Sequence, residues 1–218
     1  MLGASISKNS VLLGLFALVT AGILAVTHSG TKERIQAAER AAAARALNEL
    51  VPSSRIDNDL LADTLPIPEA MWPALGLEEG EKIHRARKED EVIAVILPAV
   101  APDGYSGDIR LLIGVNRDGS LAGVRALSHK ETAGLGDKID LAKSDWILGF
   151  NGKSLQNPAR EQWKVKKDGG AFDQFTGATI TPRAVTAQVK RALEQVEQQR
   201  ALLFEIPTDS ANNGDSHE

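Results

Sequence analysis

The sequence contains no cysteine. That removes disulfide staples, thiolate nucleophiles and cysteine-held metal clusters, so any electron-carrying role requires an organic cofactor. Histidine is scarce as well: the four at positions 28, 84, 129 and 217 show no metal-ligand pairing, and no metal site is expected. Aromatic residues are few, with one tyrosine, three tryptophans and five phenylalanines among 218 residues. An excess of positive charge is missing too, because the net charge is −4. No nucleic-acid partner is therefore expected. The basic clusters His84-Arg85-Ala86-Arg87-Lys88 and Lys164-Val165-Lys166-Lys167 sit near acids and read as solvated faces. A chain of this length can bury one core of ordinary size, which argues for a single domain with appendages.

Asp, Glu, Lys and Arg are absent altogether from Asn9 through Thr31. The apolar stretch Val11 to Val26 is short, but with its polar flanks it can cross a bilayer. A transmembrane helix over 11–27, preceded by a short N-terminus over 1–10, is the expectation. A cleaved signal peptide is the competing reading, and Ala25-Val26-Thr27 makes only a poor small-x-small cleavage site. Lys8 is the only base before the span, whereas Lys32, Arg34, Arg40 and Arg45 follow it. The positive-inside rule taken alone puts the soluble part in the cytoplasm.

Past the apolar stretch, 28–80 reads as a helical and irregular connector. Lys32 to about Leu50 is Ala-rich and helix-favouring, closed by Pro52, and Asp63 to Gly80 carries Pro66, Pro68 and Pro73. Strands are expected at 82–87, 92–99, 108–115 and 121–128. The last two are joined by the hairpin turn Asn116-Arg117-Asp118-Gly119-Ser120. A short helix over 139–146 and a long one from Arg183 to about Leu203 complete the set, the latter with Val185, Val189, Ala192 and Val196 on one face. The expected fold class is α+β, an antiparallel sheet packed with helices over 81–206. The tail 207–218 has almost no apolar content and is expected to be disordered.

Asp173-Gln174-Phe175-Thr176-Gly177-Ala178-Thr179-Ile180-Thr181-Pro182 is the most informative segment. It reads as a small-residue turn presenting hydroxyls before a helix, with Thr181 as N-cap and Pro182 at the first helical position. Thr179 then lies beside unpaired amides at the positive end of a helix dipole, a natural seat for a phosphate. An ordinary turn and cap is the alternative reading. Upstream, His129, Lys130, Glu131 and Thr132 end a strand and run into Gly134-Leu135-Gly136. A loop bracketed by glycines lets backbone amides approach a planar or phosphorylated ligand; equally, it is a polar strand end and a tight turn.

The Asp173–Thr179 segment resembles, residue for residue, the attachment signal read by periplasmic flavin transferases. Gly104-Tyr105-Ser106-Gly107, Ser128 to Gly136, Trp146 to Gly152 and Trp163 to Gly170 extend the likeness. Together they resemble the FMN-binding domain family shared by the G subunit of the Rnf (Rsx) electron-transport complex and the C subunit of the sodium-translocating NADH:quinone oxidoreductase. The closer likeness is to the Rnf G subunits, over residues 8 to about 205.

The resemblance implies FMN held covalently by a phosphoester on Thr179, with Asp173, Thr176, Gly177 and Ala178 completing the motif. It implies that His129, Lys130, Glu131, Thr132, Gly134, Leu135 and Gly136 line the cofactor, Leu135 packing on its ring and Tyr105 nearby. Trp146 and Trp163 are read as core anchors, and Phe175 as either core or cofactor wall. The resemblance further implies a single-pass protein of the bacterial inner membrane with its soluble domain in the periplasm, against the positive-inside reading. The periplasmic placement is preferred because the modifying transferase works outside the cytoplasm. The implied work is relaying electrons among the other membrane subunits of an ion-translocating oxidoreductase, not stand-alone catalysis.

Three other readings stay open. They are a flavin-free scaffold subunit, a C-subunit-like or regulatory FMN-binding membrane protein, and a hydrolase with Thr179 as nucleophile and His129 as base.

Overall fold

Four strand-forming runs, two of them apolar almost throughout, build the sheet at the centre of this protein. The structure is a computed structural model that describes residues 12–22, 41 and 43–205. The chain divides into two units, Met1–Ala44 and Arg45–Glu218. In the first, residues 12–22 are helical and Leu12, Leu13, Leu15, Phe16 and Val19 are exposed. Among the described residues no helix is long and apolar enough to cross a membrane. The rest of the 11–27 stretch, most of the helix expected from Lys32, and the 207–218 tail lie outside the described residues.

The second unit carries five antiparallel strands in sequential order: β1 (Thr64–Pro66), β2 (Lys82–Lys88), β3 (Glu91–Ala101), β4 (Ile109–Asn116) and β5 (Leu121–Ser128). Four of them match the expected strands within two residues at each end. The hairpin between β4 and β5 forms as expected, with Gly119 at φ +85° and the Ser120 amide donating to Asp118 Oδ1 at 2.9 Å. β1 departs from the expected pattern, and short helical turns at Glu69–Met71 and Trp72–Leu75 also occupy the stretch expected to be irregular. β1 is only three residues long and ends in Pro66, so it carries no strand signature. Its place at the sheet edge explains how a residue without an N–H is tolerated.

Both faces of the sheet are covered. From Val95 onward the odd-numbered side chains of β3, and those of β4 from Ile109 to Val115, face the main core. The long helix Ile180–Gln198 closes that side with Val185, Val189, Ala192 and Val196, the stripe expected from its spacing. Each such valine contributes on the order of 1.5–2 kcal/mol through its burial. On the opposite face Ala94, Ile96 and Leu112 meet Leu47, Leu50, Val51 and Leu60. Burial on two sides is why β3 is apolar almost throughout. The helix expected over 139–146 is replaced by two separate 3₁₀ turns, Gly136–Ile139 and Asp145–Phe150. Ser144 Oγ accepts the Trp146 amide at 3.2 Å and starts a new turn there.

The expected basic cluster at 84–88 is only partly solvated. Arg85 and Arg87 both grip Asp63, with Arg85 Nε donating at 2.6 Å and Arg87 Nε at 2.5 Å, and Asn58 Nδ2 adds a contact at 3.3 Å. Burial by itself would raise the Asp63 carboxyl. The hydrogen bonds and charges of Arg87 and Arg85 outweigh it and hold the group below its ordinary 3.8. A depressed carboxylate stabilises the fold above its unfolded value, and that contribution fades as pH falls through the folded value. Stability is therefore expected to be flat from neutrality down to about pH 5 and to fall below about pH 4. Asp63→Asn should lose about 2 kcal/mol at neutral pH, with its unfolding curve converging on the parent's in acid. Chemical denaturation across that pH range is the check.

Candidate functional site

An open cleft of about 320 Å³ lies where the start of the long helix, the loop after β5 and the turn after β3 converge. Its walls are Tyr105, Glu131, Thr132, Leu135, Gly136 and the run Gly177–Thr181. Phe175 and Ala178 form the ends of a tight turn, the Ala178 amide donating to the Phe175 carbonyl at 3.2 Å. Gly177 takes φ +82° there, a backbone state that costs a side-chain-bearing residue about 1 kcal/mol or more. The turn is seated on an aromatic cluster. Trp146 meets Phe175 edge-on at 5.1 Å and Phe150 at 5.3 Å, and Phe150 stacks on Phe172 at 4.8 Å. The Trp146 indole also donates to the Asp173 carbonyl at 2.8 Å.

The helix begins earlier than the sequence suggests. Thr179, not Thr181, is the N-cap, and its side chain makes no capping bond. Ile180 and Thr181 are the first two helical residues and Pro182 the third, still within the turn whose amides lack intrahelical partners. Thr181 is 1 % exposed, and its hydroxyl donates to Glu131 Oε2. Thr176 is exposed and outside the cleft lining. Of the three threonines in the motif, Thr179 alone lines the cleft without giving its hydroxyl to a hydrogen bond among the described residues.

The remaining expected site residues divide by position. Tyr105, Glu131, Thr132, Leu135, Gly136, Gly177 and Ala178 line the cleft, whereas Asp173, His129, Lys130 and Gly134 do not. Asp173 is paired with Lys166 at 2.6 Å, and Lys130 is exposed. His129 sits behind the loop: Nδ1 accepts the Glu131 amide at 3.1 Å, so Nε2 carries the proton donated to Asp140 Oδ2 at 3.0 Å. Both ring nitrogens are engaged away from Thr179, so the nucleophile and base of the hydrolase reading are not brought together. Gly134, at φ +78°, gives its amide to Asp137 Oδ1 at 2.7 Å and closes the loop.

Ile180 and Thr181, expected only as part of the turn and cap, join the cleft wall, and Asp137 braces its loop from outside the lining. The bond joining Thr181 to Glu131 spans fifty positions and leaves no local trace. Trp163 is a core anchor as expected, and Phe175 is core, buried at 7 %. Behind the motif, Arg183 grips Asp168 through Nε at 2.6 Å and Nη2 at 2.9 Å. Those hydrogen bonds hold the Asp168 carboxyl below its ordinary value.

The lining suits a ligand with a flat apolar part and an anionic end. Tyr105, Leu135 and Ile180 expose large apolar surfaces at the cleft although each is in contact with water. Gly136 and Gly177 bring backbone close, and the first amides of a 19-residue helix offer donors to a phosphate beside the Thr179 hydroxyl. The residues present therefore fit a flavin mononucleotide.

Comparison with known proteins agrees with that chemistry. The FMN-binding domain family matches residues 104–194, and the RnfG N-terminal region matches residues 1–50. The chain is 49 % identical, over 96 % of either sequence, to the G subunit of the ion-translocating oxidoreductase complex of Pseudomonas aeruginosa (strain UCBPP-PA14). It is 44 % identical to the corresponding G subunit of Shewanella amazonensis, over 98 % of this chain and 99 % of that one. The Pseudoalteromonas atlantica G subunit is 44 % identical over 91 % and 92 %.

Proposed function

This chain belongs to the family of G subunits of the ion-translocating oxidoreductase complex, and on that premise we propose that it is a flavoprotein subunit relaying electrons within such a complex. The FMN is carried as a phosphoester on Thr179, placed there by a periplasmic flavin transferase. The observation that carries the attachment site is the choice among three hydroxyls: Thr181 is buried in its bond to Glu131, Thr176 lies outside the cleft lining, and Thr179 lines it uncapped.

FMN supplies one- or two-electron transfer; the chain supplies attachment and orientation. The amides of Ile180 and Thr181 would hold the phosphate, where the helix dipole favours negative charge. Leu135, Tyr105 and Ile180 would hold the ring. No general base or nucleophile toward a substrate is needed, and none is assembled among the described residues of the cleft. A covalent tether suits a carrier at a membrane face, since a flavin that dissociated there would be lost.

The chain is anchored in the bacterial inner membrane by a single span over 11–27, with its soluble domain (81–206) in the periplasm, and works beside the other membrane subunits of its complex. The charge-free stretch from Asn9 to Thr31 supports the anchor. The transferase requirement supports the orientation.

Intact-mass measurement of the chain from membranes of cells with and without a flavin transferase, followed by peptide mapping, tests the whole reading. The expected result is one added FMN phosphoester on the peptide holding Thr179, in transferase-bearing cells only. An unmodified mass in those cells would sink the attachment and, with it, the periplasmic placement.

A further inference from the structure

One acidic side chain stands at the convergence of all three segments that build the cleft. Glu131 is 8 % exposed. Its Oε2 accepts the Thr181 hydroxyl at the start of the long helix, and its Oε1 accepts the Ser106 amide of the turn after β3 at 2.9 Å. Its own amide is held by His129 Nδ1 at 3.1 Å, and His129 is held in turn by Asp140. Two glycines press on the carboxylate from either side. A Cβ on Gly136 would lie 2.6 Å from Oε2 and 2.8 Å from Thr181 Oγ1, and one on Gly104 would lie 3.0 Å from Oε1. Both oxygens are thus engaged by an O–H and an N–H donor, an arrangement that suits a carboxylate anion. Among the described residues no Lys or Arg pairs with it; the cations nearest in sequence, Lys130 and Lys138, do not line the cleft. The carboxylate therefore has hydrogen-bond donors but no cationic partner among the described residues, and it lines the same cleft as Thr179.

We propose that Glu131 is the positioning residue of this cleft: its anchored carboxylate locks the 104–107 turn, the 131–136 loop and the first helical turn around Thr179, and it holds one uncompensated negative charge beside the tethered flavin, keeping that flavin a stronger reductant. The proposal rests on the reading that FMN is attached at Thr179. Its two parts have separable physical causes. Locking depends on the bonds to Thr181 and Ser106. The effect on reducing power depends on the charge, because reduction adds negative charge to the flavin and a fixed anion in a partly desolvated cleft opposes it.

Two near-isosteric variants in the full chain, produced in membranes with a flavin transferase, distinguish these parts. Glu131→Gln removes the charge and sets an amide against one of the two donors. Thr181→Val removes one donor and keeps the charge. Three quantities are measured for each: FMN per chain by intact mass, thermal unfolding, and the midpoint potential of the attached flavin by spectroelectrochemical titration.

Both variants are expected to load FMN several-fold more slowly than the parent. Only Glu131→Gln should move the potential upward, by about a tenfold change in the oxidised-to-reduced ratio at fixed ambient potential, near 30 mV for a two-electron couple. Full loading with an unshifted potential in Glu131→Gln overturns the proposal. Equal loading defects in both variants with no potential shift reduce Glu131 to a structural tie, and overturn it as well. Should Glu131→Gln fail to fold, Glu131→Asp takes its place: slow loading with an unshifted potential supports the proposal, and parental loading overturns it. A parent chain without FMN would instead overturn the attachment reading on which the proposal stands, an outcome distinct from all of these.

Discussion

Thr179→Val, made in the full chain beside a flavin transferase, is expected to carry no covalent FMN while unfolding within about 0.5 kcal/mol of the parent. Valine keeps the shape of threonine and loses the one atom that can form the phosphoester. The fold should not notice, because the Thr179 side chain makes no capping bond and is only half-buried. Thr176→Val is the matched control: that side chain is exposed outside the cleft and should load FMN as the parent does. Mass spectrometry of the two variants side by side reads the result directly. Stoichiometric covalent FMN on the Thr179→Val chain would mean that another hydroxyl is the attachment point.

The second large effect lies behind the cleft. Phe150 is fully buried, stacks on Phe172 at 4.8 Å and meets Trp146 edge-on at 5.3 Å, and Trp146 carries Phe175 and the Asp173 carbonyl. Phe150→Ala should cost about 4 kcal/mol, the lost transfer energy of a large ring plus the cavity it leaves. Because the ring supports Phe172 directly and Phe175 through Trp146, the turn should loosen even where the chain still folds. The expected observation is a large fall in the denaturation midpoint together with slower FMN loading at temperatures where the variant remains folded. A stability loss under about 1 kcal/mol would show that the cluster repacks around the gap, and that the turn does not depend on it.

Much of this architecture is written locally. The near-continuous apolar runs of β3 and β4 and the Asn116–Ser120 turn are short-range patterns. The valine stripe of the long helix is one too. In each case the pattern and the final environment call for the same residues. The Asp173–Thr179 motif is likewise local, which is how it can be found without any knowledge of the fold. The departures arise where a distant partner intervenes. Thr181 and Pro182 have the composition of a cap and a first helical residue, yet the helix starts at Ile180 because Glu131 takes the Thr181 hydroxyl that a cap would have used. β1 exists because β2 offers an edge, with Thr64 opposite His84 and Pro66 opposite Lys82, rather than through any preference of its own three residues.

By itself, then, the chain's order of residues determined the α+β class, four strands, the long helix and the family. All of these depend on period, turn chemistry and short motifs, which operate over a few neighbouring residues. Only the tertiary structure decided which hydroxyl of the motif is available, which loop residues face the cleft, and that His129 braces the loop from behind. It also decided that one carboxylate joins three segments from positions 106, 131 and 181. Those choices rest on contacts between residues far apart in the chain, and no local pattern records a partner that folding alone brings near.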